Sequence, residues 1–167
     1  GAFSEKTEWN AIDYDLWIKT FETNVLSAYF CMVNAAEIMV DKKIKGVIIN
    51  VGSSSALQVK KGRLHYTTTK SALHTLSRVT AMDLANHQIR VNVVSPGPTE
   101  TEMVHERMKD PDQRAQEEVR IKKIPLGRYA STTDIANAVI FLSSSKAEFI
   151  TGAILPVDGG YTIGETV

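Results

Sequence analysis

Gly46-Val47-Ile48-Ile49-Asn50-Val51-Gly52 is a short apolar run, rich in β-branched residues and bounded by glycines. Such a run is typical of a strand buried inside a parallel sheet. Two later runs, 89–94 and 153–157, have the same character, and helical patterns precede them at 64–86 and from Ser131 onward. The alternation of strand, helix, strand, helix and strand predicts an α/β fold with a parallel sheet.

The segment before the first strand has helical periodicity from Asp13 to about Lys43. Its length predicts two helices in series, or one helix with a bend near Asn24. Its apolar residues recur every three to five positions, at Leu16, Phe21, Val25, Ala28, Met32, Ala35, Ala36 and Met39. For the helix 64–86, the predicted inner face consists of Ala72, Leu76, Val79 and Leu84.

Length and composition limit the function classes. The chain of 167 residues suits one domain, and its 43% hydrophobic and 23% charged residues are typical of a folded globular protein. Nineteen basic residues balance nineteen acidic ones, so no nucleic-acid or anionic-membrane partner is expected. No apolar run approaches the length of a bilayer span. The single cysteine, Cys31, favours a reducing compartment, and we expect a cytoplasmic protein.

Candidate functional residues follow the strands, where open α/β sheets bind ligands. Tyr66 and Lys70 are four positions apart on a predicted helix, which places both side chains on one face. A nearby ammonium favours a phenolate; for proton transfer near neutrality, a tyrosine pKa of about 10 must fall by roughly 3 units. Ser53, thirteen positions before Tyr66, could hold a carbonyl oxygen beside the phenol. Taken alone, the pair Tyr66 and Lys70 also fits a solvated lysine beside a surface tyrosine. Ser53 alone also fits an ordinary turn.

Taken together, the motifs resemble the classical short-chain dehydrogenase/reductase family along essentially the whole chain. Residues 110–161 look most like glucose-1-dehydrogenase-like or 3-oxoacyl-carrier-protein-reductase-like members. The matching pieces are Asn24-Val25-Leu26-Ser27-Ala28-Tyr29-Phe30, Ile49-Asn50-Val51-Gly52-Ser53-Ser54, Tyr66-Thr67-Thr68-Thr69-Lys70-Ser71-Ala72, residues 89–101 with Ser95-Pro96-Gly97-Pro98-Thr99-Glu100-Thr101, and residues 150–160 with Val157-Asp158-Gly159-Gly160.

The resemblance implies an NAD(P)-dependent oxidoreductase that interconverts a small alcohol and a carbonyl compound by hydride transfer. Tyr66 would be the general acid/base, and Lys70 would support it and bind the nicotinamide ribose. Ser53 would orient the substrate oxygen, and Asn24 would bend its helix and hold a water toward Lys70. The segment Pro96, Gly97, Thr99 and Thr101 would cover the nicotinamide. Whether the cofactor is NAD or NADP stays open.

The family's Gly-rich phosphate turn does not occur among the ten glycines of this sequence. Gly1-Ala2 resembles the tail of the family's Asn-Asn-Ala-Gly segment. We therefore expect residues 1–167 to be a single partial domain, the C-terminal portion of a doubly wound, Rossmann-like fold without its N-terminal Gly-rich βαβ half. Its substrate lid would span about 99–128, as short mobile helices that include Met103 and Met108. Activity would need the upstream half, without which NAD(H) or NADP(H) should bind weakly.

Two alternatives remain open. The chain could be a non-catalytic remnant that acts through association, since the resemblance implies a homotetramer or dimer built on 26–43, 64–86 and the last helix and strand. It could also be a serine hydrolase, with Ser54 as nucleophile and acid–base partners among Asp83, His87, His105 and Asp110. His65 would be solvated or line the substrate mouth. The histidine spacing predicts no metal site.

Overall fold

A computed structural model describes residues 6–11 and 13–164, so Gly1-Ala2 lies outside the described residues. Within these residues, six α-helices and three strands follow one another, with strand and helix in the predicted alternation from β1 onward. In chain order they are α1 (Tyr14–Phe21), α2 (Ser27–Asp41), β1 (Val47–Val51), α3 (Leu64–Leu84), β2 (Arg90–Pro96), α4 (Glu102–Lys109), α5 (Pro111–Lys122), α6 (Thr132–Ser143) and β3 (Ile154–Val157).

The three strands form a parallel sheet in the order β1-β2-β3. Val47 pairs with Arg90 at the start of the ladder between β1 and β2, and Val93 pairs with Ile154 between β2 and β3. The central strand is buried from Val91 to Ser95. This confirms the predicted parallel α/β fold and places the carboxyl ends of β1 and β2 at one edge.

Helices cover both faces of the sheet, as expected for parallel strands buried on both sides. On one face, Met32 of α2 and Ala81 of α3 pack against Val91. On the other face, Leu142 of α6 packs against Val94. Ser131 and Asp134 form a capping box at the start of α6, in which each side chain bonds the other's backbone amide.

The first long helix departs from α-helical geometry at the predicted position, near Asn24. A π-helical turn, Glu22–Leu26, joins α1 to α2 and contains Asn24, and the amide of Ser27 donates to the Glu22 carbonyl. Every residue of the predicted apolar face is buried or half-buried. By length and composition alone, the 28-residue helix Tyr14–Asp41 could cross a membrane. The expectation that nothing approaches a span is corrected here, because the helix continues unbroken through the π-helical turn.

Two further expectations need correction. Val79 was predicted on the inner face of α3 but is 51% exposed, because the buried face of this helix is largely polar and includes His74 and Ser77. The segment at about 99–128 is expected to consist of short mobile helices. It does form two short helices, but Glu117 is buried and Ile124 belongs to a third apolar cluster with Tyr129.

Candidate active site

A cavity of about 640 Å³ opens at the carboxyl edge of the sheet. Ser53, Tyr66, Pro96 and Gly97 all line it. They come from the end of β1, the first turn of α3 and the end of β2. Four of the residues singled out in the sequence therefore share one cavity, at the edge where such sheets bind ligands.

Ser53 is held directly beyond β1. The amide of Gly52 donates to the Val94 carbonyl at 2.8 Å, which continues the ladder past the named strand. The Ser53 backbone is extended, and its Oγ accepts a bond from the Ser55 amide at 3.2 Å. The hydroxyl thus caps a short 3₁₀ turn at Ser54–Ala56 and is fixed against the cavity.

Tyr66 and Lys70 occupy successive turns of α3. Tyr66 is half-buried, and its hydroxyl has no hydrogen-bond partner within residues 6–11 and 13–164. Lys70 is only 4% exposed, and its Nζ donates to the Val51 carbonyl at 3.2 Å. Burial lowers the pKa of Lys70 below its usual value of 10.5. The ammonium is thus fixed at the end of β1, while the phenol remains available to a ligand.

Asn24 approaches this pair from the π-helical turn. It is 4% exposed, and its Nδ2 donates to Thr69 Oγ1 at 3.2 Å. The Thr69 hydroxyl donates in turn to the Tyr66 carbonyl at 2.9 Å. Asn24 is therefore packed against the turn of α3 that carries both Tyr66 and Lys70.

The segment after β2 is only partly brought to the cavity. Gly97 lines it, and a Cβ at this position would lie 2.6 Å from the Cα of Asp158, so this close approach of two backbones requires glycine. Thr99 donates from its hydroxyl to the Gly97 carbonyl at 3.0 Å and is bridged to Ala130. Thr101 precedes α4 and is exposed. Neither threonine lines the cavity in this structure.

Two histidines on α3 are buried. His65 is 4% exposed, so its predicted solvated state is wrong; it lines a small pocket beside Trp17. His74 is 5% exposed, and its Nε2 has no hydrogen-bond partner among the described residues. Burial, and then the charge of Lys70, lowers the pKa of His74, which favours the neutral ring. The sequence pattern indicates no role for His74, although its position four residues after Lys70 places it on the same face of α3.

The helices beside the cavity are anchored by a buried carboxylate. Glu117 of α5 is 3% exposed and accepts bonds from Arg107 of α4, Arg120 and the Tyr129 hydroxyl. Burial, and then the bond to Glu117, raises the pKa of Tyr129. A second long-range contact joins the Lys60 ammonium to the ring and hydroxyl of Tyr161. The sequence pattern contains no signal for these contacts.

The hydrolase alternative gains no support from this geometry. Ser54 lies at the carboxyl edge of the sheet, whereas Asp83 and His87 lie just before β2, at the opposite edge. The carboxylate of Asp110 caps α5 by accepting from two backbone amides. His105 pairs with an exposed glutamate on its own segment at 3.6 Å.

Comparison with known proteins gives a consistent result. A family model described as Enoyl-(Acyl carrier protein) reductase matches residues 1–162. The chain is 40% identical over 146 residues to an L-rhamnose 1-dehydrogenase (NAD(P)(+)) of Sphingomonas sp. (strain SKA58), covering 87% of this chain and 56% of that protein. It is 36% identical over 145 residues to a D-erythrulose reductase of Gallus gallus, covering 87% and 58%.

Solved structures show the same similarity in three dimensions. A 4-hydroxyisoleucine dehydrogenase complexed with NADH superposes with a TM-score of 0.86 at 30% identity, over 98% of this chain and 67% of that one. The chain spans only 56–58% of the length of the two curated relatives.

Proposed function

Because the chain belongs to the classical short-chain dehydrogenase/reductase family, we propose that its cavity interconverts an alcohol and a carbonyl compound with NAD or NADP. One observation carries this proposal. The phenol of Tyr66, which has no hydrogen-bond partner among the described residues, lines a cavity beside Ser53, one helical turn from the buried ammonium of Lys70. That arrangement suits transfer of a proton to or from a substrate oxygen.

The residues around the cavity fit a nicotinamide cofactor. Lys70 Nζ has one protein acceptor within the described ranges, the Val51 carbonyl, which leaves donors for the hydroxyls of a ribose. Gly97 lines the cavity and lets the chain after β2 pass close to the backbone of Asp158, and Thr99 and Thr101 follow it. When bound, the cofactor supplies the hydride chemistry, and the protein supplies position and electrostatics.

Each chain residue has a defined part in the proposed reaction. Ser53 donates a hydrogen bond to the substrate oxygen and fixes it beside the phenol. Tyr66 gives its proton to that oxygen during reduction and takes it back during oxidation. The Lys70 ammonium stabilises the negative charge that the phenol oxygen acquires when the proton leaves. Asn24, buried against Thr69, keeps this turn of α3 in place and holds a water toward Lys70.

The direct test replaces Tyr66. We expect Tyr66→Phe to lower kcat by roughly 10²–10⁴-fold, because the proton donor is lost while the ring remains. The intact mass of the undigested protein is measured first. The assay then follows NADH and NADPH absorbance with sugars, polyols and 3-oxoacyl thioesters as substrates. Tyr14→Phe, at a tyrosine that is 71% exposed on α1, is the matched control. A Tyr66→Phe protein with the activity of this control would contradict the proposal.

A further part of the proposal is a homo-oligomer. Apolar side chains are exposed on α2 and α3, two of the elements on which the family resemblance implies the interface, and they include Phe30 at 58%, Ile38 at 54% and Met82 at 79%. Exposed apolar residues grouped on neighbouring helices are typical of association surfaces. Sedimentation of the protein should therefore show a dimer or tetramer, and a stable monomer at micromolar concentration would contradict this part.

A further inference from the structure

The cavity beside Tyr66 has a strongly positive lining. Among the described residues that line it there is no aspartate or glutamate, but there are six basic side chains: Lys6, Lys60, Lys61, Arg63, Arg120 and Lys123. The chain as a whole has as many acidic as basic residues. The positive charge at the cavity is therefore a local segregation and does not follow from overall composition.

Some of these charges already have partners. The guanidinium of Arg120 bonds both carboxylate oxygens of the buried Glu117, at 3.1 and 2.9 Å. The ammonium of Lys60 lies 4.1 Å from the ring centroid of Tyr161 and contacts its hydroxyl. These two side chains are held in place by the fold.

Lys61 and Arg63 differ from them. Neither has an acidic partner or a side-chain hydrogen bond within residues 6–11 and 13–164. Between them, Gly62 has a φ of +78°, and its carbonyl accepts a bond from the Thr7 amide at 2.9 Å, which fixes the path of this loop. Two uncompensated cations thus stand at the cavity on a defined turn.

Lys61 and Arg63 lie close in the chain to Tyr66, the proposed proton donor. Arg63 is three residues before Tyr66 and Lys61 five residues before it, and α3 begins between Arg63 and Tyr66. We infer that the substrate is an anion: a hydroxy or oxo compound with a carboxylate or phosphate a few bonds from the reacting carbon, held by Lys61 and Arg63. This inference rests on the proposed function, because it assumes that the cavity holds the substrate.

The alternatives fit the cavity less well. The serine and glutamine side chains of the lining could bind the hydroxyls of a neutral sugar, but a neutral sugar would leave the charge of Lys61 and Arg63 without a counter-charge. A carboxylate or phosphate accepts several charge-assisted bonds and matches an arginine with a neighbouring lysine. A concave cavity of about 640 Å³ is also the size of a small-molecule site.

The test compares substrates that differ in charge alone. A neutral ketose, its terminal phosphate and the corresponding keto acid are assayed with NADH and NADPH at low and high salt. We expect kcat/KM for an anionic member to exceed that of the neutral one at least tenfold and to fall with salt. The phosphate and carboxylate arms show which anion is preferred. Equal kcat/KM for all three, with turnover intact, would overturn the inference and leave the proposed function standing.

Variants that lack the positive charges test whether Lys61 and Arg63 cause the preference for an anionic substrate. Lys61→Gln combined with Arg63→Gln should reduce kcat/KM for the anionic substrate by about 10–100-fold, with a loss at least fivefold smaller for the neutral one. Lys45→Gln is the matched control, because Lys45 is exposed and precedes β1, at the opposite edge of the sheet from the cavity. An equal loss in the control, or none in the double variant, would contradict the assignment.

A binding measurement separates this inference from the proposed function. Calorimetry compares glycerol 3-phosphate with glycerol on the unmodified protein and on the Lys61→Gln/Arg63→Gln variant, so no turnover is needed. Binding of the phosphate compound alone, lost in the variant, supports the inference even if no substrate is turned over. Equal binding of both compounds, or binding of neither, overturns it.

Discussion

Gly52 connects β1 to Ser53, and the structure leaves no room for a side chain on it. A Cβ at this position would lie 2.3 Å from His74 Nε2 and 2.8 Å from Val93 Cγ1, distances at which something must shift. Val93 is fully buried in the central strand, and His74 is 5% exposed. Overpacking of this kind costs about 1–3 kcal/mol. In a chain of this size, Gly52→Ala should lower Tm by roughly 2–12 °C.

The assay is urea denaturation followed by circular dichroism. The double variant Gly52→Ala/His74→Ala should be more stable than the sum of the two single effects predicts, by about 1 kcal/mol, because removal of the imidazole gives the new methyl group space. The control is Gly164→Ala, since a Cβ there meets nothing within 4 Å and this glycine has no positive φ. Its effect should stay within about 0.5 kcal/mol.

Two results would refute this reasoning. One is a Gly52→Ala protein that is as stable as the control variant. The other is strict additivity of the Gly52→Ala and His74→Ala effects, which would mean that the imidazole does not limit the space. Since Ser53 is the next residue, we also expect kcat in the proposed reaction to fall in Gly52→Ala and to recover in part in the double variant.

Three further predictions follow from the anchors around the site. Glu117→Ala should destabilise the fold by about 1–3 kcal/mol, measured by urea unfolding, because it removes the acceptor of the buried Tyr129 hydroxyl and of two partly exposed guanidinium groups; a loss below about 0.5 kcal/mol would contradict the importance of these bonds. Ser131→Ala should cost about 1 kcal/mol and speed amide exchange in the first turn of α6, and unchanged exchange would count against the capping box. The pKa of His74 is lowered in the folded state, so the unfolded chain takes up this proton first and stability should fall as pH drops through about 6.5. His74→Phe should flatten the pH dependence of the urea midpoint between pH 7 and 5, and an unchanged slope would exclude His74 as its source.

The sequence predicted those elements that are encoded by a short run of consecutive residues. The three strands are bounded by turns and β-branched, so their positions follow from composition and length. The capping box of α6 is a four-residue motif and can likewise be recognised from the sequence. Ser53, Tyr66, Pro96 and Gly97 come together because the carboxyl ends of parallel strands share an edge.

Long-range contacts and polar burial could not be predicted. Tyr161 reaches Lys60 across 101 positions, and no periodicity encodes such a pair. The buried face of α3 includes Thr69, Lys70 and His74, so a search for apolar residues placed Val79 inward and His65 in solvent. Sequence periodicity predicts a buried face only where that face is apolar. Helix α3 departs from this pattern because it buries polar side chains beside the candidate site.

The π-helical turn Glu22–Leu26 also fixes the number of residues that the first long helix must contain. A π turn holds one residue more than the α turn it replaces. Loss of one residue between Glu22 and Leu26 would restore a regular α-helix and remove the wider turn on which Asn24 lies. Insertions and deletions should therefore be tolerated in surface loops of this protein but not here, where the residue count keeps Asn24 facing Thr69.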